Sequence, residues 1–219
     1  MDRGKLRRSL GLYLIADLAL WPVDLPHVVR TCIEAGVTCV QLRAKDESPD
    51  RTLAVARQLR QTCSSTSVPL IINDHLDIAL AIGADGVHLG VADADPTLAR
   101  RLGGERFIIG FSPETDEQLR DAEARGVSYL GIGPVFGTAT KADAGTALGT
   151  DECARRMSLT CLPTVAIGGI DPSNAHLAIG TGADGIAVVS SILKANDPAQ
   201  VAASLRSIVD SVTTSARSR

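Results

Sequence analysis

Cationic and amide side chains alternate at Gln41-Leu42-Arg43-Ala44-Lys45, directly after an apolar run. In an extended backbone successive side chains point to opposite faces, so Gln41, Arg43 and Lys45 share one side. Two cations and an amide together make an anion site, and a cation inside a strand of a buried sheet is costly unless it is paired. Asn73-Asp74-His75 and His88-Leu89-Gly90-Val91-Ala92-Asp93 each close an apolar run of their own. Two carboxylates at neighbouring strand ends, facing that cation pair, would suit Mg2+ held between the protein and a diphosphate. Each also has a simpler use: Asp74 could cap a helix beginning near Leu76, and Asp93 or Asp95 the next one. His75 and His88 match no metal-ligand spacing and are read as structural or supporting groups.

Ser112 follows the next apolar run. Beyond it lies Gly131-Ile132-Gly133-Pro134-Val135-Phe136-Gly137-Thr138-Ala139-Thr140-Lys141, a glycine-rich segment ending in two hydroxyls and a cation. Backbone N–H groups can approach an anion closely in such a segment, and Lys141 adds charge. Small residues continue to Gly149, which suits a lid over a site. Gly168-Gly169-Ile170 and Val188-Val189-Ser190-Ser191 offer backbone amides to a phosphate, although the first could equally be a tight turn before Asp171-Pro172-Ser173.

These groups need elements to hold them. Short apolar runs occupy Leu12–Ala16, Thr38–Leu42, Leu70–Ile72, Gly86–Leu89, Phe107–Phe111, Tyr129–Ile132, Thr164–Ile167 and Gly185–Val189. Between them, stretches such as Leu53, Val55, Ala56 and Leu59, or Leu119, Ala122 and Ala124, have helical spacing. Strand-then-helix units repeated through a chain of 219 residues predict a single-domain α/β fold, the (β/α)8 TIM barrel. A doubly wound open sheet is the alternative. Chemistry in a barrel sits where strands end, and every polar group named above follows a run. The strings Gly36-Val37-Thr38, Gly83-Ala84-Asp85-Gly86, Gly126-Val127-Ser128 and Gly182-Ala183-Asp184-Gly185 precede runs instead. They read as helix-ending turns at the opposite, stabilising face.

Composition narrows the classes. Apolar residues make up 45% of the chain and aromatic residues only 3%, so the core must be Ala, Val, Ile and Leu, as parallel strands covered by helices prefer. A formal net charge of −3 gives no reason to expect nucleic acid or an anionic membrane as partner. Five cysteines without Cys-x-x-Cys spacing predict neither a disulfide framework nor a zinc site, and reduced thiols fit the cytoplasm. No signal peptide is read in Leu10–Leu20, which is short and contains Asp17, and no apolar run is long enough for a bilayer. The domain is expected to span 1–219. Its basic start (about 1–9, with Arg3, Lys5, Arg7 and Arg8) reads as a solvated extension, and its end (about 213–219) as a frayed tail.

The motifs together resemble the thiamine phosphate synthase family. Gln-Leu-Arg-x-Lys at 41–45, Asn-Asp at 73–74, His-Leu-Gly-x-x-Asp at 88–93, Gly-Pro-Val-Phe-x-Thr-x-Thr-Lys at 133–141, Ile-Gly-Gly-Ile at 167–170 and Val-Val-Ser at 188–190 occur in order, from about Leu12 to Pro198. The resemblance implies a transferase that joins an aminopyrimidine methyl diphosphate to a thiazole phosphate by Mg2+-assisted alkyl transfer. It implies that Gln41, Leu42, Arg43, Ala44, Lys45, Asn73, Ser112 and Lys141 hold the pyrimidine diphosphate, with Lys141, Arg43 and Ser112 acting catalytically. Thr138, Ala139, Thr140, Gly169, Val189 and Ser190 would hold the thiazole phosphate, and Asp74 and Asp93 one Mg2+ ion. The partners implied are small molecules, and a homo-oligomer is compatible with it. The chain departs from the family's usual pattern at Val91 (commonly Gln), Pro113-Glu114 (commonly Thr-His) and Gly137 (commonly Pro). The competing readings are a thiazole tautomerase-like isomerase, a phosphosugar isomerase or epimerase, and a barrel that binds a phosphate ligand without turnover.

Overall fold

The computed structural model describes residues 2–21, 23–45, 47–138 and 145–217, with side chains through 212. Eight strands alternate with helices: β1 Leu12–Asp17, β2 Cys39–Arg43, β3 Leu70–Asn73, β4 Gly86–Leu89, β5 Ile108–Phe111, β6 Tyr129–Ile132, β7 Thr164–Ile167 and β8 Gly185–Val188. All pair in parallel with their sequence neighbours, and β8 returns to β1, closing the (β/α)8 barrel. The described helices are α1 Arg3–Ser9, α2 Leu25–Glu34, α3 Pro49–Ser64, α4 Leu76–Ala81, α5 Pro96–Gly103, α6 Asp116–Asp121, α7 Gly149–Met157, α8 Ala175–Gly180, α9 Ser190–Leu193 and α10 Pro198–Arg217. Among the described residues no helix is long and apolar enough to cross a membrane.

Strand alternation divides the buried side chains into two cores. Leu12, Leu14 and Ala16 point outward, into the layer between barrel and helices. Tyr13 and Ile15 point inward and meet Cys39, Ile71, Ile108, Tyr129, Val165 and Ala187 in the lumen. Three strands run one residue past their apolar runs: β3 adds Asn73, and β1 and β2 add Asp17 and Arg43, which face each other in register and pair.

The lower end of the barrel is held by a repeated device. Thr38 Oγ1 accepts from Leu12 N at 2.9 Å, Asp85 Oδ2 from Leu70 N at 2.9 Å, Ser128 Oγ from Ile109 N at 3.1 Å and Asp184 Oδ2 from Thr164 N at 2.9 Å. Each of these residues stands third in one of the four glycine-led strings. The leading glycines Gly36, Gly83, Gly126 and Gly182 have φ of 113°, 63°, 80° and 93°, the left-handed geometry that a helix-ending glycine supplies. The strings therefore anchor the start of the preceding odd-numbered strand, a finer role than ending a helix.

The amino terminus corrects the sequence reading. Residues 3–9 form helix α1, capped by Asp2, instead of a solvated tail. Leu6 and the following Leu10 are buried in the inner core and plug the barrel floor. Arg7 Nη1 lies 2.5 Å from Asp184, and Arg3 pairs with Glu123. The charge pattern concealed a two-leucine apolar face. At the other end, the α10 backbone continues to Arg217, past the point where fraying was expected.

Candidate active site

The upper ends of β2, β3, β4 and β5 bring the first group of polar residues together. Arg43, the last residue of β2, donates to Asp17 Oδ2 at 2.5 Å, and the Asp17 side chain is only 4% exposed. Asp17 also accepts from Ala19 N at 3.0 Å. The cation expected to need a partner inside the barrel thus has one, supplied by the end of β1. Leu42 and Ala44 are buried, as expected for residues facing away from the lumen, and Lys45 is exposed. Gln41 is buried below Arg43 and donates to Tyr13 Oη at 2.8 Å. Asn73 ends β3, half-buried, in register with His88.

The two carboxylates can now be separated from the helix caps. The residue capping α4 is His75, whose side chain makes no cap bond, and α5 is capped by Asp95, which accepts from Thr97 N at 2.7 Å. Neither Asp74 nor Asp93 serves a cap. Asp74 N donates to His88 O at 2.9 Å, which ties this loop to β4. Its backbone sits at φ 62°, a left-handed conformation that Asp tolerates better than most residues. Asp93 accepts from Gly90 N at 2.6 Å. Burial first, then the nearby Asp93 carboxylate, push the Asp74 carboxyl up to about 6. Like charges drawn together in a half-buried place fit a hard cation. Among the described residues no third His, Cys, Asp or Glu joins them. A pair of carboxylates that leaves other positions to phosphate oxygens and water is the donor set Mg2+ prefers.

The ends of β6, β7 and β8 form the other half of the mouth. Val135 N donates to Ile167 O at 2.8 Å and Phe136 N to Gly168 O at 3.0 Å, so the β6 loop lies along the β7 loop. Gly168 and Gly169 have φ of 102° and 65°, and a Cβ on Gly169 would run into Gly137 O. That close approach sets Gly137, the residue before Thr138, against Gly169. Val189 precedes the four-residue helix α9, which begins at Ser190. A short extra helix after the last strand is a common phosphate-binding device of barrels. Ala139, Thr140 and Lys141 lie outside the described residues, as does the 139–144 part of the proposed lid, while at its far end Leu148 N donates to Pro134 O at 2.8 Å and Gly149 N to Val135 O at 3.1 Å.

Residues 12–192 match the family described as thiamine monophosphate synthase. The chain belongs to that family. The thiamine-phosphate synthase of Albidiferax ferrireducens is 42% identical over 206 residues, 94% of each chain. That of Vibrio parahaemolyticus is 40% identical over 199 residues, covering 91% of this chain and 98% of the relative. A solved structure, the thiamine phosphate pyrophosphorylase from Pyrococcus furiosus, is 36% identical with a TM-score of 0.86, covering 94% of this chain and 98% of that one. With its relatives, the chain is an enzyme of the transferase class.

Membership of the thiamine monophosphate synthase family makes two departures readable in the structure. Val91 is 42% exposed at the mouth, two residues before Asp93. After Ser112, Glu114 N and Thr115 N both donate to Gln118 Oε1, so the Pro113-Glu114 segment leads into the capping box of α6. Reasoning from sequence missed three residues that shape the site. Asp17 entered only as a charge breaking an apolar stretch. Its signal was its position at the end of the first run, the same rule that found Arg43. Tyr13 and Tyr129 were counted as apolar strand residues, but they share a hydrogen bond across the lumen at 2.7 Å. His88, read as a supporting group, bonds to both Tyr129 Oη and Ser112 Oγ.

Proposed function

We propose that this enzyme condenses 4-amino-2-methyl-5-(diphosphomethyl)pyrimidine with 4-methyl-5-(2-phosphoethyl)thiazole, giving thiamine phosphate and diphosphate. The observation that carries the reading is the closeness of Asp74 and Asp93, two carboxylates with no capping role, after β3 and β4, with β3 beside the strand that bears Arg43. Such a pair is unfavourable by itself and becomes favourable around a cation that also meets a diphosphate. Asp74 and Asp93 would hold one Mg2+, which when bound supplies Lewis-acid neutralisation of charge on the diphosphate oxygens.

The remaining work falls to the chain. The bond from the pyrimidine methyl carbon to oxygen breaks, and diphosphate leaves with the electron pair. The 4-amino group stabilises the resulting cation by donating into the ring, so no protein nucleophile is required. The thiazole nitrogen lone pair then forms the new carbon–nitrogen bond. Arg43, Lys45, Ser112 and Lys141 are assigned to the diphosphate, where donors aimed at the leaving group lower the barrier most. Arg43 is held in place by Asp17, which limits its reorganisation. Asn73 faces the pyrimidine. Thr138, Gly169, Val189 and Ser190, with Ala139 and Thr140, are assigned to the thiazole phosphate, and the packing of the β6 loop on the β7 loop supports one continuous cradle there. Holding the nitrogen in line with the cation and excluding water complete the catalysis.

The test is incubation of the full chain with both substrates and Mg2+, following thiamine phosphate and released diphosphate. The expected result is equimolar formation of the two. A well-folded protein that isomerises a thiazole phosphate, or only binds the substrates, would overturn the reading.

A further inference from the structure

A continuous line of polar side chains crosses the otherwise apolar lumen. Gln41 Nε2 donates to Tyr13 Oη at 2.8 Å, and Tyr13 Oη lies 2.7 Å from Tyr129 Oη. Tyr129 Oη lies 3.0 Å from His88 Nδ1, and His88 Nε2 lies 2.8 Å from Ser112 Oγ. Five strands or strand ends contribute one member each. The surroundings are built around the line. A Cβ on Gly110 would collide with both His88 Nδ1 and the Tyr129 phenol, and one on Gly131 would sit 3.2 Å from Ser112 Oγ. The glycines of β5 and β6 therefore leave the room in which the imidazole and the phenol meet.

Counting protons shows that the line can run in one direction from end to end, from Gln41 to Ser112. Burial raises both phenols well above their ordinary range, so each keeps its hydrogen. In that direction the Gln41 amide donates to Tyr13, and the Tyr13 hydrogen goes to Tyr129 Oη. The Tyr129 hydrogen then goes to His88 Nδ1. An imidazole that accepts at Nδ1 is neutral and carries its proton on Nε2. Nε2–H donates to Ser112 Oγ, and the hydrogen of Ser112 is left to point elsewhere, into the barrel mouth.

We propose that His88 is a positioning residue, set by the buried line from Gln41 so that the Ser112 hydroxyl is held as a hydrogen-bond donor into the mouth. This rests on the synthase reading, in which Ser112 meets the diphosphate. A hydroxyl is otherwise a free rotor that can turn its lone pairs toward an anion. With its oxygen engaged by Nε2–H, it presents its hydrogen where negative charge grows, and such fixed donors act on the transition state more than on the bound substrate.

Two measurements test this. In the full chain labelled with 15N, the His88 ring, assigned by its loss in His88→Gln, should show an unprotonated Nδ1 and a protonated Nε2 at neutral pH. An Nδ1-protonated or cationic ring overturns the direction. For catalysis, Ser112→Ala should lower kcat about 10²-fold with a much smaller change in KM. Tyr129→Phe keeps the ring and removes only the hydroxyl, so it tests the line if His88→Phe fails to fold. Each should lower kcat about 10-fold, and combined with Ser112→Ala should add almost nothing, because residues acting through one group are not additive. His88→Gln, which can still donate to Ser112, should recover most of the loss. Additive losses, or no recovery with Gln, overturn the positioning role. A wild-type chain without synthase turnover defeats the synthase reading instead, while the ring measurement needs no substrate and still decides the direction.

Discussion

The two ends of the barrel treat charge in opposite ways. At the lower end Asp85 and Asp184 each satisfy a strand-start amide and a cation, Arg60 at 3.3 Å and Arg7 at 2.5 Å. Thr38 and Ser128 repeat the same bond with a hydroxyl, and Ser128 also accepts from Arg100 at 3.1 Å. At the mouth, Asp74 sits in a left-handed conformation near another carboxylate, and its acidity is weakened first by burial and then by that company. Arg43 and Asp17 pair there, but the pair holds a cation at the rim of the lumen. One end resolves every local preference and can be repeated four times around the barrel. The other keeps a left-handed aspartate beside a second carboxylate, and it has no internal repeat. Strain and unresolved charge of this kind mark a place selected for binding.

The contrast breaks if mouth and floor substitutions behave alike. The largest expected effect is on turnover at the acidic pair. Asp74→Asn and Asp93→Asn, chosen because Asn also tolerates left-handed backbone, should each lower kcat/KM by about 10²–10³-fold. Full activity in both variants, or in metal-free buffer, would remove the metal assignment. Next comes Arg43→Ala, which leaves the buried Asp17 carboxylate without its cation. It should destabilise the fold by about 2–4 kcal/mol and weaken diphosphate binding far more than thiazole phosphate binding. Adding Asp17→Asn should recover much of the stability and none of the diphosphate affinity. Calorimetry showing both affinities falling equally would mean the two pockets are wrongly divided.

At the floor the expectation reverses. Asp184→Ala removes the acceptor for Thr164 N and the partner of Arg7, and should cost about 1–2 kcal/mol of stability. For a chain of this size that is a fall of about 2–8 °C in Tm, with kcat within about 2-fold of wild type. A large loss of kcat in a folded Asp184→Ala protein would show that the floor reaches the chemistry.

Strand periodicity was legible almost to the residue, because a parallel barrel strand is apolar on both faces and a helix-ending glycine stands just before every second one. The rule that polar groups follow the runs put Arg43, Asp74 and Asp93 at the strand-end side of the barrel, where the structure has them. What stayed hidden depended on pairing across the fold. Asp17 gains its meaning from β2, which lies beside β1 only once the barrel forms. Tyr13, Tyr129 and His88 meet through the lumen, at sequence separations of 116 and 41 residues that no local pattern encodes. The basic start hid α1 because two leucines among arginines carry too little periodicity to announce a helix.

The smallest effect separates the two ends most sharply, because its sign is opposite to that of an ordinary loss. Asp74 has a folded-state acidity near 6, above the ordinary carboxylate value. Below about pH 4 the group is protonated in both folded and unfolded chains, and the pair costs nothing. As pH rises from about 4 to about 6 the unfolded chain releases the proton while the folded chain retains it, so stability falls across that window. Above it the penalty is fully present. Burial is the larger cause and Asp93 the next, so Asp93→Asn relieves only part of it. In chelator at pH 7, Asp93→Asn should therefore be more stable than wild type by about 1 kcal/mol or less, after allowance for solvent screening. At pH 4 the difference should vanish. Millimolar Mg2+ should raise the Tm of the wild type and leave the variant unmoved, since only a ligand bound to the folded state stabilises it. A variant less stable than wild type at pH 7 would place Asp93 among the structural groups, with Asp184 and Asp85, and the two ends of the barrel would no longer differ in kind.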